Sequence, residues 1–314
     1  MKRVAEIVVK TCLGLRPDET LLVITDPETE TVGRVLFEAG LKEGAKSVLM
    51  VIGPLSRHGE EPPKPVAEAW IKADVFLAPT KFSLTHTQAR LRATQAGARG
   101  ATLPGITPEI FQEAVAVDYE QIKQNCEKLG GVLKRANSLR IISPLGTDLE
   151  VSIEGRPVML DTGILRNPGD FGNLPAGEVY VAPLEGTAQG TAVFDGSFAG
   201  LGLLKEPLEV RFEHGYAVKF TGNRARELEE LLRAVQTREA YNLAEVGVGC
   251  NPKAKIVGKM IEDEKVHGTL HLALGDNSTI GGKVRAGIHL DGLIKNPTLL
   301  ADGEELIKDG QWLI

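Results

Sequence analysis

The sequence predicts an N-terminal α/β domain with an open, mostly parallel sheet, followed by an α+β, mainly antiparallel β, metal-binding domain. Three observations carry this. The chain has 314 residues, more than one compact domain usually holds. Its first part alternates helical and strand periodicity, as helix-covered parallel strands do. From Ser138 onward the period changes to two and Gly and Pro punctuate short segments, which suits antiparallel strands joined by turns. The boundary is placed near 137, giving domains 1–137 and 138–314.

In the first domain, residues 4–14 read as a helix, 20–25 (TLLVIT) as a buried strand, 30–44 as an amphipathic helix and 47–52 (SVLMVI) as the next strand. The alternation continues with a helix at 65–73, a strand at 74–79 (DVFLAP), a helix at 85–97, a short strand at 99–103 and one or two closing helices over 108–137. No Gly-x-Gly-x-x-Gly and no phosphate loop ending in Gly-Lys-Ser/Thr accompanies these strands, so the nucleotide-binding readings lose their main support. In the second domain, strands are expected at 138–144, 147–153, 158–160, 178–182, 190–194, 208–212 and 216–220. One helix follows at 225–235, with further short strands around Val246, His271 and His289.

Charge narrows the function classes. Lys and Arg total 36 against 42 Asp and Glu, and the basic residues are scattered rather than gathered into a stripe, which argues against a nucleic-acid partner. The apolar runs fall short of a membrane span. Cys12, Cys126 and Cys250 are odd in number and far apart, so neither a disulfide framework nor a thiolate zinc site is indicated. A cytoplasmic chain acting on a small molecule or peptide is the expectation.

The chemistry resides where acids and histidines interrupt apolar strand patterns. In Gly287-Ile288-His289-Leu290-Asp291-Gly292, alternation sends His289 and Asp291 to one face. By itself the pair is either half a metal site or a solvated edge. His271 shares a face with Thr269 and Ala273 and reads as a ligand or as a core histidine. Glu245, before Val246-Gly247-Val248-Gly249, and Glu178, at the mouth of a strand, could be surface charges or caps. A buried carboxylate beside small apolar residues is costly without a cation or a hydrogen-bond set, and three carboxylates and two imidazoles recur in such settings, which together are harder to dismiss than any one alone.

Asn173-Leu174-Pro175-Ala176-Gly177-Glu178, Ala244-Glu245-Val246-Gly247-Val248-Gly249-Cys250-Asn251-Pro252, His271-Leu272-Ala273-Leu274-Gly275 and His289-Leu290-Asp291 resemble, in order, the signature blocks of the aminopeptidase T family of metallopeptidases. The resemblance covers most of 138–295. It implies a homodimeric metalloprotease-type hydrolase holding two divalent ions, zinc, cobalt or manganese, on Glu178, Glu245, His271, His289 and Asp291. Glu178 and Glu245 would be the catalytic carboxylates, and a metal-activated hydroxide would remove N-terminal residues from peptides. Ser278 stands where the peptidases carry a tyrosine, so it becomes a substrate-binding candidate. The chain also resembles a related branch of iron-dependent dioxygenases that cleave dihydroxypyridine rings. There His271, His289 and Asp291 would hold one ferrous ion, and a third alternative is a non-catalytic metal-binding homologue.

One cluster lies outside these blocks. His86 and Arg90 sit four apart on an expected helix, with Arg92 and Arg99 nearby. They are either a helix start capped by Ser83 or Thr85 with exposed arginines, or substrate contacts at the carboxyl end of a parallel strand. His267 is expected in a loop.

Overall fold

Five parallel strands form the sheet of the first unit, in the order Lys46–Val51, Thr20–Thr25, Val75–Ala78, Arg99–Thr102 and Phe171–Asn173. The computed structural model describes residues 1–314. Leu21–Ile24 and Val75–Ala78 are buried on both faces, which is why they read as unbroken apolar runs rather than as alternation. The Lys46–Val51 strand lies at the edge, and none of its residues is fully buried.

Helices cover the sheet. The Glu30–Lys42 helix can lie close because Gly40 has no side chain: a Cβ there would meet Leu21 Cδ2 at 2.4 Å. Elsewhere the core gathers around Trp70, whose ring meets that of Phe76 edge-on at 5.1 Å, with Leu22, Ile24 and Val66 in the same cluster. The expected helix at 85–97 is shorter, Gln88–Gln95. Its cap is Thr87, whose hydroxyl accepts from the Arg90 N–H, rather than Ser83 or Thr85. The first helix is α only over Lys2–Ile7 and continues as a π turn over Val8–Cys12.

The two compact units are discontinuous in sequence: Met1–Lys123 with Asp161–Ala176, and Gln124–Leu160 with Gly177–Ile314. A single cut near 137 therefore does not describe the division. The physical reason is the three-residue strand Phe171–Asn173, which pairs in parallel with Arg99–Thr102 and returns the chain to the first sheet. Phe-Gly-Asn is too short to show a period, so nothing in the sequence pattern marks this return.

The second unit is built on two sheets. An eight-stranded sheet runs from Tyr216–Thr221 through Gln189–Phe194, Asp148–Ser152 and Ser138–Ile142 to the C-terminal strands Thr298–Ala301, Glu304–Lys308 and Gln311–Trp312. The other has seven strands, and His289–Ile294, Leu270–Gly275, Leu243–Gly249 and Glu178–Val181 are neighbours joined by antiparallel ladders. The helix Ala225–Ala234 is present as expected. All three cysteines are buried and none is in a disulfide, and no helix is long and apolar enough to cross a membrane.

Candidate metal centre

The register of the seven-stranded sheet collects the five singled-out residues on one face. Cross-strand partners share a face, and the ladders pair Glu178 with Gly249, His271 with Gly247, Asp291 with Ala273 and His289 with Gly275. Each of these polar side chains thus has a glycine or alanine as a cross-strand partner, and at Gly247 the space left is taken by His271. A Cβ on Gly247 would come 2.0 Å from His271 Nε2. A register irregularity between Leu243 and Glu245 helps set the phase of this strand.

The five side chains form two groupings that share one carboxylate. Glu178, Glu245 and His271 each offer a ligand atom within 4.8 Å of the others, and so do Glu245, His289 and Asp291. His271 Nε2 lies 3.3 Å from Glu245 Oε1 and 3.4 Å from Glu178 Oε2. His289 Nε2 lies 3.4 Å from both Glu245 Oε2 and Asp291 Oδ1. The trio of two histidines and Asp291 is thus divided between the groupings, with Glu245 as the bridge. One grouping is buried. The other is more open, because the His289 side chain is 31% exposed.

These donors fit a divalent cation. Glu178 Oε2 is buried without a hydrogen-bond partner, a costly state unless a cation or proton reaches it. Protons hold the cluster together when no metal does. Burial alone would lower the His271 imidazole, but Glu245 and the nearby carboxylates outweigh it and raise it to about 9. Burial likewise opposes the charged form of His289, yet Asp291 and Glu245 lift it well above the usual histidine range. Burial would raise the Glu245 carboxyl, and the two imidazoles instead hold it far below the usual carboxylate range. A metal ion would replace the protons on Nε2.

The second nitrogen of His289 is fixed by the chain. Its Nδ1 lies 2.7 Å from the Asp276 carbonyl oxygen. A carbonyl only accepts, so Nδ1 carries the hydrogen and Nε2 is the nitrogen free to ligate. Asp276 in turn anchors the 276–288 loop, accepting from the Ser278 N–H and hydroxyl and from the Ala286 N–H.

Two neighbours were not singled out from the sequence. Lys265 is 1% exposed, and its Nζ lies 2.6 Å from Glu178 Oε1 and 2.7 Å from Glu264 Oε1. Burial, reinforced by Glu178 and Asp291, raises the Glu264 carboxyl to about 8 against the pull of Lys265. The adjacent Glu264 and Lys265 sit in a turn after the short helix Met260–Asp263, where no periodicity distinguishes a buried pair from a solvated one. Their position just before the His271 strand was the available signal.

The remaining candidates are placed differently. The Ser278 hydroxyl donates to Asp276 Oδ1 at 2.7 Å, within its own loop. His86 and Arg90 belong to the first unit. His86 is exposed, whereas the Arg90 guanidinium lies 4.2 Å from the Phe171 ring centre and donates to the Thr85 carbonyl. Arg99, expected to be exposed, is buried and makes a two-pronged pair with Glu19, at 2.8 Å on each oxygen. His267 lies in a turn, stacked on Trp312.

Comparison with known proteins corrects the reaction type. The sequence model of the family NicX, 2,5-dihydroxypyridine 5,6-dioxygenase, matches residues 4–314. A 2,5-dihydroxypyridine 5,6-dioxygenase of Pseudomonas putida KT2440 is 24% identical over 192 residues, 57% of this chain and 55% of that protein, so the match spans about half the relative's length. The solved structure of 2,5-dihydroxypyridine dioxygenase from Pseudomonas putida KT2440 superposes with a TM-score of 0.87 at 19% identity, covering 99% of this chain and 96% of that one. Wild-type AmpT from Thermus thermophilus superposes with a TM-score of 0.76 at 20% identity, covering 100% and 98%. The likeness to AmpT is one of fold. A fold does not fix a reaction. The expectation of a hydrolase, an aminopeptidase or metalloprotease, is therefore overturned by the match along nearly the whole chain. The chain belongs to the NicX, 2,5-dihydroxypyridine 5,6-dioxygenase, family.

Proposed function

We propose that this protein is an iron-dependent dioxygenase that opens a dihydroxylated pyridine ring. The observation that carries the reading is the family match over residues 4–314, and the mixed imidazole and carboxylate cluster supports it. Such a donor set suits ferrous iron, and leaves room for other ligands where few protein atoms crowd the site. The ion would be held by donors drawn from His271, His289, Asp291 and the shared Glu245, with Glu178 Oε2 facing them. A ferrous ion bound there supplies the one-electron chemistry that lets dioxygen react with an electron-rich ring.

The chain's own residues supply the rest. His289 and Asp291 form the more open grouping, so substrate would approach from their side. The Asp276 carbonyl fixes the His289 ring through Nδ1. Glu245, held as a carboxylate by its contacts with both imidazoles, keeps the two rings turned toward one shared site. Glu178, pinned by Lys265, faces His271 and holds its orientation. In the reaction the ring's C5–C6 bond breaks and both atoms of one dioxygen enter the product.

The test is oxygen uptake by anaerobically reconstituted Fe²⁺ protein on addition of 2,5-dihydroxypyridine. One dioxygen should be consumed per ring lost, and none by the Zn²⁺-loaded protein. Absence of uptake with iron bound would remove this reading.

A further inference from the structure

Beside the ligand cluster the chain carries a buried cation of its own. Lys265 is among the largest fully buried side chains of the protein, and lysine is almost never fully buried unless paired. Its ammonium lies 2.6 Å from Glu178 Oε1, on the side of Glu178 away from the oxygen facing His271. Glu178 belongs to one three-ligand grouping and Glu245, His289 and Asp291 to the other, so the five side chains have enough donors for two ions. Charge decides otherwise. Glu178, Glu245 and Asp291 carry three negative charges between them when ionised. One divalent ion with the Lys265 ammonium balances these three, whereas a second divalent ion would be placed within a few ångströms of a buried ammonium at low dielectric. Glu264 shares the ammonium at 2.7 Å but lies outside both groupings.

We propose that Lys265 stands in for a second metal ion, its ammonium neutralising Glu178 so that a cluster with donors for two ions accepts one. The proposal deepens the reading above, resting on it only in taking the cluster to be a metal site. Lys265 touches none of the reacting atoms and sets metal count through Glu178. Glu178 Oε2, buried without a hydrogen bond and 3.4 Å from His271 Nε2, is what makes the consequence measurable: without the ammonium, both oxygens of Glu178 are open to a cation that displaces the imidazole proton.

The experiment is metal counting on the full chain, independent of turnover. Metal-free wild type, Lys265→Arg and Lys265→Met are titrated with Zn²⁺ by calorimetry, and bound zinc per folded chain is measured by mass spectrometry after desalting. One ion is expected for wild type and for Lys265→Arg, which keeps the charge, and two for Lys265→Met. If Lys265→Met does not fold metal-free, the same proposal requires that excess Zn²⁺ restore its fold with two ions bound. Two tightly held ions in wild type, one in folded Lys265→Met, or a Met variant that stays unfolded in excess Zn²⁺ would each overturn it. Failure of the dioxygenase reading would leave these counts unchanged.

Discussion

Gly247 lies directly across the strand pair from His271, and a Cβ on it would stand 2.0 Å from the imidazole Nε2. The nitrogen that faces Glu178 and Glu245 occupies the space a side chain would take. Gly247→Ala must therefore push the ring out of the cluster or spread the two strands. We expect a loss of ~2 kcal/mol of stability, the usual scale of overpacking, together with at least a tenfold loss of metal affinity. Thermal unfolding and metal titration of the variant check both, and an unchanged affinity would mean that His271 is not a ligand.

Glu245 is the residue both groupings share. Glu245→Gln keeps the shape and removes the charge that faces both imidazoles, so metal affinity should fall ~100-fold or more, with the strand ladder intact. Circular dichroism and metal content separate the two effects. Retention of full metal content would show that the bridge is dispensable.

The metal-free cluster gives stability an unusual pH dependence. The His271 imidazole is raised from 6.5 to about 9 in the folded state, so its contribution is complete below pH 6.5 and is lost as pH rises through 9. The Glu264 carboxyl is raised from 4.5 to about 8, so its contribution fades as pH rises from 4.5 through 8. Both act in the same direction. The metal-free protein should lose on the order of 3 kcal/mol from His271 over this range, seen as a falling Tm between pH 6 and 9. Metal affinity should rise over the same interval, since fewer protons must be displaced. A Tm that climbs with pH in the absence of metal would contradict this account.

The Arg99–Glu19 pair provides a structural contrast in the first unit. Arg99 also donates to the Leu13 and Gly14 carbonyls, so Glu19→Gln leaves a buried guanidinium with most of its scaffold and no counter-charge. The expected cost is ~3–5 kcal/mol with metal stoichiometry unaltered. A variant as stable as wild type would show that the pair is dispensable.

Much of this was legible in the sequence, for identifiable reasons. Leu21–Ile24 and Val75–Ala78 are buried on both faces and so read as apolar runs. His289 and Asp291, two residues apart on a strand, had to share a face. The return of Phe171–Asn173 to the first sheet was invisible because three residues carry no period. Lys265 was passed over because a lysine in a turn is ordinarily solvated, and only the tertiary fold shows it buried against Glu178. The reaction was misread because the five candidate ligands share one sheet face in a fold this chain has in common with AmpT. They specify a metal-binding geometry before they specify what the metal does.

The proposed dioxygenase reaction places both atoms of one dioxygen in the opened dihydroxylated pyridine ring. The direct measurement is mass spectrometry of the product formed by Fe²⁺-loaded protein from 2,5-dihydroxypyridine under ¹⁸O₂ in ordinary water, read at early times to limit exchange. A ring-opened product carrying two labelled oxygens is expected. A product with label from water alone, or an unopened ring with one labelled oxygen, would contradict it.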